Sequence, residues 1–193
     1  MTEVEQLDTI PSLTRSETEP AVRAAAKQYG GADQSHYQEY KSFFQQAYNM
    51  VAGFWATDGH KPMSLDTMES YHNEFFFRGG DTPTSVSPYV IAGAASYSAM
   101  RAYDRHRRTR GLIGKHQKSK DFIAGYAMAQ AVKLFENHQN RRITQEEKAQ
   151  IAAVSAANAQ HIYETKYMNS DNDFKSVHSR SNSIISLPES ISN

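Results

Sequence analysis

The feature of this sequence that most constrains its fold is a segment that occurs twice, over residues 90–108 and again over residues 122–140. The triplet Ile-Ala-Gly occupies residues 91–93 and 123–125, and small, aromatic and charged residues continue to match downstream. Small residues that recur at helical spacing let two helix backbones approach closely. The repeat therefore predicts an all-α fold, a small helical bundle built around a duplicated helical hairpin.

The residues expected at the close helix contacts are either small or aromatic. Glycine and alanine leave room for a neighbouring backbone, and aromatic rings fill the space around it. Charged residues within the same helices, such as Arg101 and Lys133, deny them the apolar length of a membrane span, so packing in water is expected. The predicted helix-packing residues are Gly93, Ala95, Tyr97, Tyr103, Gly125, Ala127 and Phe135.

Further helices are predicted from apolar periodicity and from residues that begin helices. Aromatic and aliphatic side chains between residues 36 and 57 recur with the spacing of a buried helical face. Ser64 and Ser87 are suited to cap helix N-termini, the latter because proline follows it, and Thr144 with Glu147 forms a capping box. No segment alternates with a period of two, so no strand is predicted. The predicted helices span about residues 36–57, 64–77, 88–108, 115–138 (or from 119) and 145–167.

Both ends of the sequence are predicted to be disordered arms around a helical domain of residues 31–167. Residues 1–30 mix acids with Ser, Thr and two prolines, and only residues 21–29 offer a short helix before a Gly-Gly break. Residues 168–193 are rich in Ser, Asn and Asp. Neither segment offers enough apolar surface to offset the entropy lost on ordering.

Composition excludes several functional classes. The absence of cysteine excludes a disulfide framework, a thiolate nucleophile and a zinc site with cysteine ligands. No secretory leader and no apolar run of membrane-spanning length are visible, so a cytoplasmic protein without a membrane span is expected. The eight histidines lack an HExxH or His-x-His pattern, and a histidine near a helix end more simply hydrogen-bonds carbonyl groups. No metal, cofactor or catalytic residue is therefore predicted.

The repeat and the segments that follow it resemble a known family. Residues 91–106, with the runs Ile-Ala-Gly-Ala-Ala-Ser-Tyr and Ala-Met-Arg-Ala-Tyr-Asp, are similar to the first half of the CipC-like (concanamycin-induced protein C) domain. Residues 114–127 and 147–149 are similar to its second half, so the resemblance covers about residues 88–167. The resemblance implies a small helical fungal protein that responds to antibiotic stress and has no agreed catalytic mechanism.

Two features bear on the chemistry that the resemblance implies. Some family members carry a phosphoglycerate-mutase label, but Arg105-His106-Arg107 lacks the glycine of the Arg-His-Gly motif that this reaction needs. Residues 130–133 read Gln-Ala-Val-Lys where members usually carry acids, and residues 49–85 look like an insertion. The first functional hypothesis is therefore a stress-associated, non-catalytic interaction protein that binds an unknown protein partner or a second copy of itself.

A second hypothesis rests on the charge of residues 101–120, where arginine and lysine far outnumber acids. Clustered guanidinium groups attract phosphates and acidic peptides, although a solvated helix end balanced by the acidic N-terminal arm explains the same pattern. Nucleic acid is the less favoured ligand, because few aromatic residues for base stacking lie nearby. Ser183 is a candidate phosphorylation site, since Arg180 precedes it by three residues, and its phosphate would dock on this cluster. The candidate binding residues are Arg101, Arg105, His106, Arg107, Arg108, Arg110, Lys115 and His116.

Overall fold

The computed structural model describes residues 15–31, 35–54, 61–77, 86–110, 116–139 and 141–168. Across these ranges the structure is helical and contains no β-strand, so the predicted all-α class is confirmed. A short π-helix, Glu164–Met168, continues the last α-helix. The α-helices are α1 (Arg15–Gly30), α2 (Tyr37–Phe54), α3 (Leu65–Phe77), α4 (Pro88–Arg110), α5 (His116–His138) and α6 (Gln145–Tyr163).

Three helices begin at the capping residues that the sequence predicts. The Ser64 hydroxyl accepts the Thr67 N–H at 3.1 Å at the start of α3. The Ser87 hydroxyl accepts the Tyr89 N–H at 3.3 Å at the start of α4. Thr144 and Glu147 bond reciprocally at the start of α6, side chain to backbone in both directions. These bonds satisfy N–H groups that would otherwise have no partner within the helix.

The centre of the bundle is formed by α4, α5 and α6, which pack against one another. The α1–α2 hairpin covers one side, with α1 on α5 and α2 on α6, and α3 packs on α4. Two apolar clusters result. One lies among α3, α4, α5 and α6 and includes Ile91 and Phe135. The other joins α1 and α2 to α5 and α6 and includes Val22, Phe44 and Met128.

The expectation of a disordered arm over residues 1–30 is wrong for residues 15–30, which form α1. The side chains of Ala21, Val22, Ala25 and Ala26 are fully buried against the bundle. Their spacing places them on one face of a helix, and their small size lets that face lie close to α5. The acidic composition of the first twenty residues hides this short stripe. Residues 1–14 and 169–193, with the candidate phosphorylation site Ser183, lie outside the described residues.

Polar contacts also hold the end of α1 on the bundle. The Tyr29 hydroxyl donates to the Glu136 carboxylate of α5 at 2.8 Å. The same carboxylate accepts from the Lys148 ammonium of α6 at 2.5 Å. Burial, followed by the hydrogen bond to Glu136, raises the pKa of Tyr29 well above its ordinary value. Three helices therefore meet at one partly buried carboxylate network.

The two glycines of the repeat contact different helices. A Cβ atom on Gly125 would lie 2.5 Å from the backbone oxygen of Ala21 in α1. A Cβ atom on Gly93 would lie 2.6 Å from the Cδ2 atom of the Tyr71 ring in α3. Each copy of the repeat thus presents its glycine to a separate neighbour. The duplication of a helical hairpin stays a prediction.

Of the other predicted packing residues, Ala95, Ala127, Tyr103 and Phe135 are buried and Tyr97 is half-buried.

Candidate functional site

An open groove of about 400 Å³ lies where the start of α4 meets the end of α5 and the first half of α6. Its apolar floor consists of Phe135, Ile151 and Val154. Phe135 and Ile151 are buried core residues, so the groove gives solvent access to the edge of the hydrophobic core. Pro88 and the exposed Tyr89 line one side of the groove. The other lining residues are Ser87, Arg141, Glu147 and Gln150.

The polar side of the groove is held by the capping box that begins α6. The Arg141 guanidinium donates to both carboxylate oxygens of Glu147, at 3.1 and 2.5 Å. This side-chain hydrogen bond, followed by the backbone N–H of Thr144, lowers the pKa of Glu147 to about 2. The pair therefore stays ionised at neutral pH, and its two charges neutralise each other. The rim of the groove offers hydrogen-bonding groups without a net charge.

A side-chain hydrogen bond joins the segments that flank the groove residues Ser87 and Arg141. The Gln139 amide donates to the backbone oxygen of Val86 at 3.0 Å. This contact ties the segment after α5 to the segment before α4. Among the residues that line the groove there is no histidine, and the Ser87 hydroxyl is engaged in capping α4. The groove has the chemistry of a binding surface for apolar groups.

The predicted basic segment, residues 101–120, lies at the end of α4 and the start of α5, away from the groove. Arg101 and Arg105 are exposed on α4 and are separated by about one helical turn. The Arg107 guanidinium lies 4.7 Å from the centroid of the Tyr167 ring. The His106 ring stacks on Phe122 with centroids 5.8 Å apart. Lys115 and the side chains of Arg108, Arg110 and His116 lie outside the described part of the chain.

Acidic residues from the same end of the bundle partly neutralise the basic segment. Lys120 forms an ion pair with Glu164 of the π-helix. Lys166 pairs with Asp104 at 2.9 Å, and the Tyr167 hydroxyl donates to the same carboxylate. Burial, followed by the bond to Asp104, raises the pKa of Tyr167 above its ordinary value. Anion binding by the basic segment stays a prediction.

The described ranges lack two further kinds of site. No group of three or more histidine, aspartate or glutamate side chains there could hold a metal ion. None of the described helices is both long enough and apolar enough to cross a membrane.

The groove was not predicted from the sequence. Phe135 was expected only as a helix-packing residue, and Ile151 and Val154 follow the ordinary apolar spacing of a core-facing helix. A usable signal in the sequence was Tyr89, two residues after the Ser87 cap, since an aromatic residue at a helix start contributes nothing to capping.

Fold and site together define an all-helical bundle with an open apolar groove. Residues 78–166, which contain α4, α5 and α6, match the family described as virulence factor CipC-like. The resemblance seen in the sequence is therefore confirmed. All of the residues that line the groove fall inside the matched span. No curated protein and no solved structure matches this chain.

Proposed function

We propose that this chain is a non-catalytic interaction protein whose groove binds a short, uncharged, apolar segment of a protein partner. The observation that carries the proposal is the apolar floor of Phe135, Ile151 and Val154, which opens to solvent between polar rims. The match of residues 78–166 to the CipC-like family supports a stress-related protein, and we extend this to a cytoplasmic role in the response to antibiotic stress.

The chemistry of the groove favours an uncharged peptide segment. Arg141 and Glu147 neutralise each other, so the rim attracts neither sign of charge. Gln150 is exposed at the rim and offers an amide that can hydrogen-bond a peptide backbone. The volume of about 400 Å³ lies at the small end of ligand pockets and suits a few aliphatic side chains. Burying each methylene group there would contribute about 0.8 kcal/mol.

The test is an NMR titration of the full chain with short N-acetylated, C-amidated peptides that carry two leucines in a Ser/Gly background. A Ser/Gly peptide without leucine is the matched ligand control. We expect resonances of Tyr89, Ile151 and Val154 to shift with the leucine peptides only. The variant Val154→Trp fills the groove and should weaken binding at least about tenfold. The control Gln145→Trp, on the exposed first turn of α6 outside the groove, should bind as the unmodified chain does.

Three results would count against the proposal. The first is the absence of peptide-dependent shifts at the floor residues. The second is equal affinity in Val154→Trp and in the unmodified chain. The third is a concentration-dependent shift of Tyr89 without any peptide, together with a dimer in sedimentation, because a second copy would then occupy the groove.

The alternative function is binding of a phosphate ligand or a nucleic acid by residues 101–120. It is favoured by the exposure of Arg101 and Arg105 on the same helix. It is opposed by the ion pair that Lys120 of this segment forms with Glu164 of the π-helix. Titration with inorganic phosphate at low salt separates the two functions. Shifts at Arg101 and Arg105 would support the alternative, and their absence at low salt would reject it.

A further inference from the structure

His72 of α3 is a buried histidine with an unusual environment. Only 6% of the residue is exposed, and its Nδ1 atom has no hydrogen-bond partner among the described residues. Aromatic rings surround it instead. The Tyr97 ring of α4 lies 5.0 Å away between centroids, and the Phe76 ring of α3 lies 4.8 Å away. Such a site accommodates a neutral imidazole and provides little to solvate an imidazolium ion.

Charged groups of α3 and α4 act on His72, and one of the π-helix acts on its neighbour Tyr97. Glu69 precedes it by one turn on α3 and favours the protonated ring. Arg101 of α4 disfavours the protonated ring. Lys166 of the π-helix acts on the neighbouring Tyr97 hydroxyl, which bonds Glu69. Burial is the largest influence and outweighs a side-chain hydrogen bond with Asn73 that favours the protonated ring, so the pKa of His72 is lowered from its ordinary value.

The attachment of α3 to the bundle is narrow. The helix α3 packs mainly on α4. By contrast, α1 and α2 pack on each other, and each also packs on a central helix, α1 on α5 and α2 on α6. Beyond α4, the Phe75 ring contacts His138 of α5 at 4.5 Å between centroids. The segment before α3 is anchored separately, because the Met63 N–H donates to the Asn158 side chain of α6 at 2.9 Å. A helix held through one partner can separate locally without global unfolding.

We propose that α3 is an acid-released cover of α4, and that protonation of the buried His72 is what loosens it. Release leaves the Met63 anchor in place and uncovers the α4 surface around Tyr97. The release of α3 is expected at mildly acidic pH, where carboxylates of ordinary pKa are still ionised.

The direction of the pH dependence follows from proton linkage. The docked state holds His72 neutral, whereas the released state exposes a histidine of ordinary pKa, 6.5. The released state therefore binds more protons, and docking weakens as the pH falls below that value. Between about pH 7.5 and about pH 5, the opening equilibrium constant of α3 should rise by up to about 30-fold.

The experiment is hydrogen–deuterium exchange of the full chain at these two pH values, corrected for the intrinsic exchange rate. Peptides from residues 65–77 should lose protection at the lower pH, and peptides from α6 should not. His72→Phe keeps an aromatic ring but removes the titrating group, so its α3 should stay protected. His36→Gln is the matched control, because His36 is an exposed histidine on the segment before α2 and should leave the response unchanged.

An NMR titration of the His72 ring in the unmodified chain provides a second measurement that needs no variant to fold. A ring pKa clearly below 6.5 supports the proposal, and a value at or above 6.5 overturns it. Equal α3 protection at both pH values overturns it as well. So does acid release that persists in a folded His72→Phe variant.

Discussion

The helices α4 and α5 carry the same small-residue motif, yet their neighbours hold them in different ways. At Gly125 of α5, the backbone of α1 itself approaches, and the Glu136 network fastens that contact. At Gly93 of α4, the nearest atoms belong to the side chains of Tyr71 and Met63. A backbone cannot move aside as a side chain can. The same motif therefore supports a fixed contact on α5 and a more adaptable contact on α4.

The extent of the covering helices explains why the groove is open. The α1–α2 hairpin covers α5 and α6 on one side, and α3 covers part of α4. The Tyr71 ring of α3 reaches Tyr89, with centroids 6.1 Å apart, but none of the residues that line the groove belongs to α1, α2 or α3. The groove is the apolar edge of the central helices that the two covers leave accessible.

The largest effect is expected from removing residues 1–31. This deletion uncovers the surfaces of α5 and α2 against which Val22 and its alanine neighbours are buried. The burial lost predicts a free energy of unfolding lower by about 3 kcal/mol or more. Urea unfolding followed by circular dichroism measures it. A midpoint equal to that of the full chain would show that α1 is not docked on α5.

The next largest effect is expected for Gly125→Ala. The added Cβ would lie 2.5 Å from the Ala21 oxygen and 3.0 Å from the Ala25 nitrogen, so a backbone has to shift. We expect a loss of about 2 kcal/mol, although alanine favours a helix interior by up to about 1 kcal/mol over glycine. Asn137→Ala, at an exposed position of the same helix, is the control for denaturant melts. Stability at or above that of the unmodified chain would refute the close contact.

A smaller effect is expected for Tyr29→Phe, which removes the hydroxyl that donates to Glu136. The carboxylate keeps its bond from Lys148, so the expected loss is about 1–1.5 kcal/mol. Tyr89→Phe, at an exposed hydroxyl on the groove rim, is the matched control and should be close to neutral. Thermal melts of both variants test the network. Equal melting midpoints for Tyr29→Phe and Tyr89→Phe would show that the bond to Glu136 does not help to hold α1 on the bundle.

The smallest effect is expected for Gly93→Ala. The Tyr71 ring lies 2.6 Å from the added Cβ, but a side chain can rotate away. We expect stability within about 1 kcal/mol of the unmodified chain, because the gain in helix propensity offsets part of the strain. Gly125→Ala under the same denaturant conditions is the comparison. If Gly93→Ala were the more damaging of the two, the contrast between the α4 and α5 contacts would be wrong.

Local rules predict much of this fold from the sequence. Ser64, Ser87 and Thr144 begin helices because their side chains bond the first N–H groups. The docking of α1 was missed because four small residues in an acidic segment carry little hydrophobic signal until α5 provides a matching surface. The groove was missed for a related reason. Whether Ile151 and Val154 face a neighbouring helix or solvent depends on where α4 begins. The sequence of α6 alone does not determine the position of that helix start.

The measurement that tests the groove most directly is a methyl NMR spectrum of the full chain labelled at isoleucine and valine. On addition of a neutral leucine peptide, the Ile151 and Val154 methyl groups should shift, because they form the groove floor. The Val22 methyl groups should stay unchanged, because α1 buries them against α5. Shifts at Val22 without shifts at Ile151 and Val154 would contradict the account, since the peptide would then displace the α1–α2 hairpin and leave the groove empty.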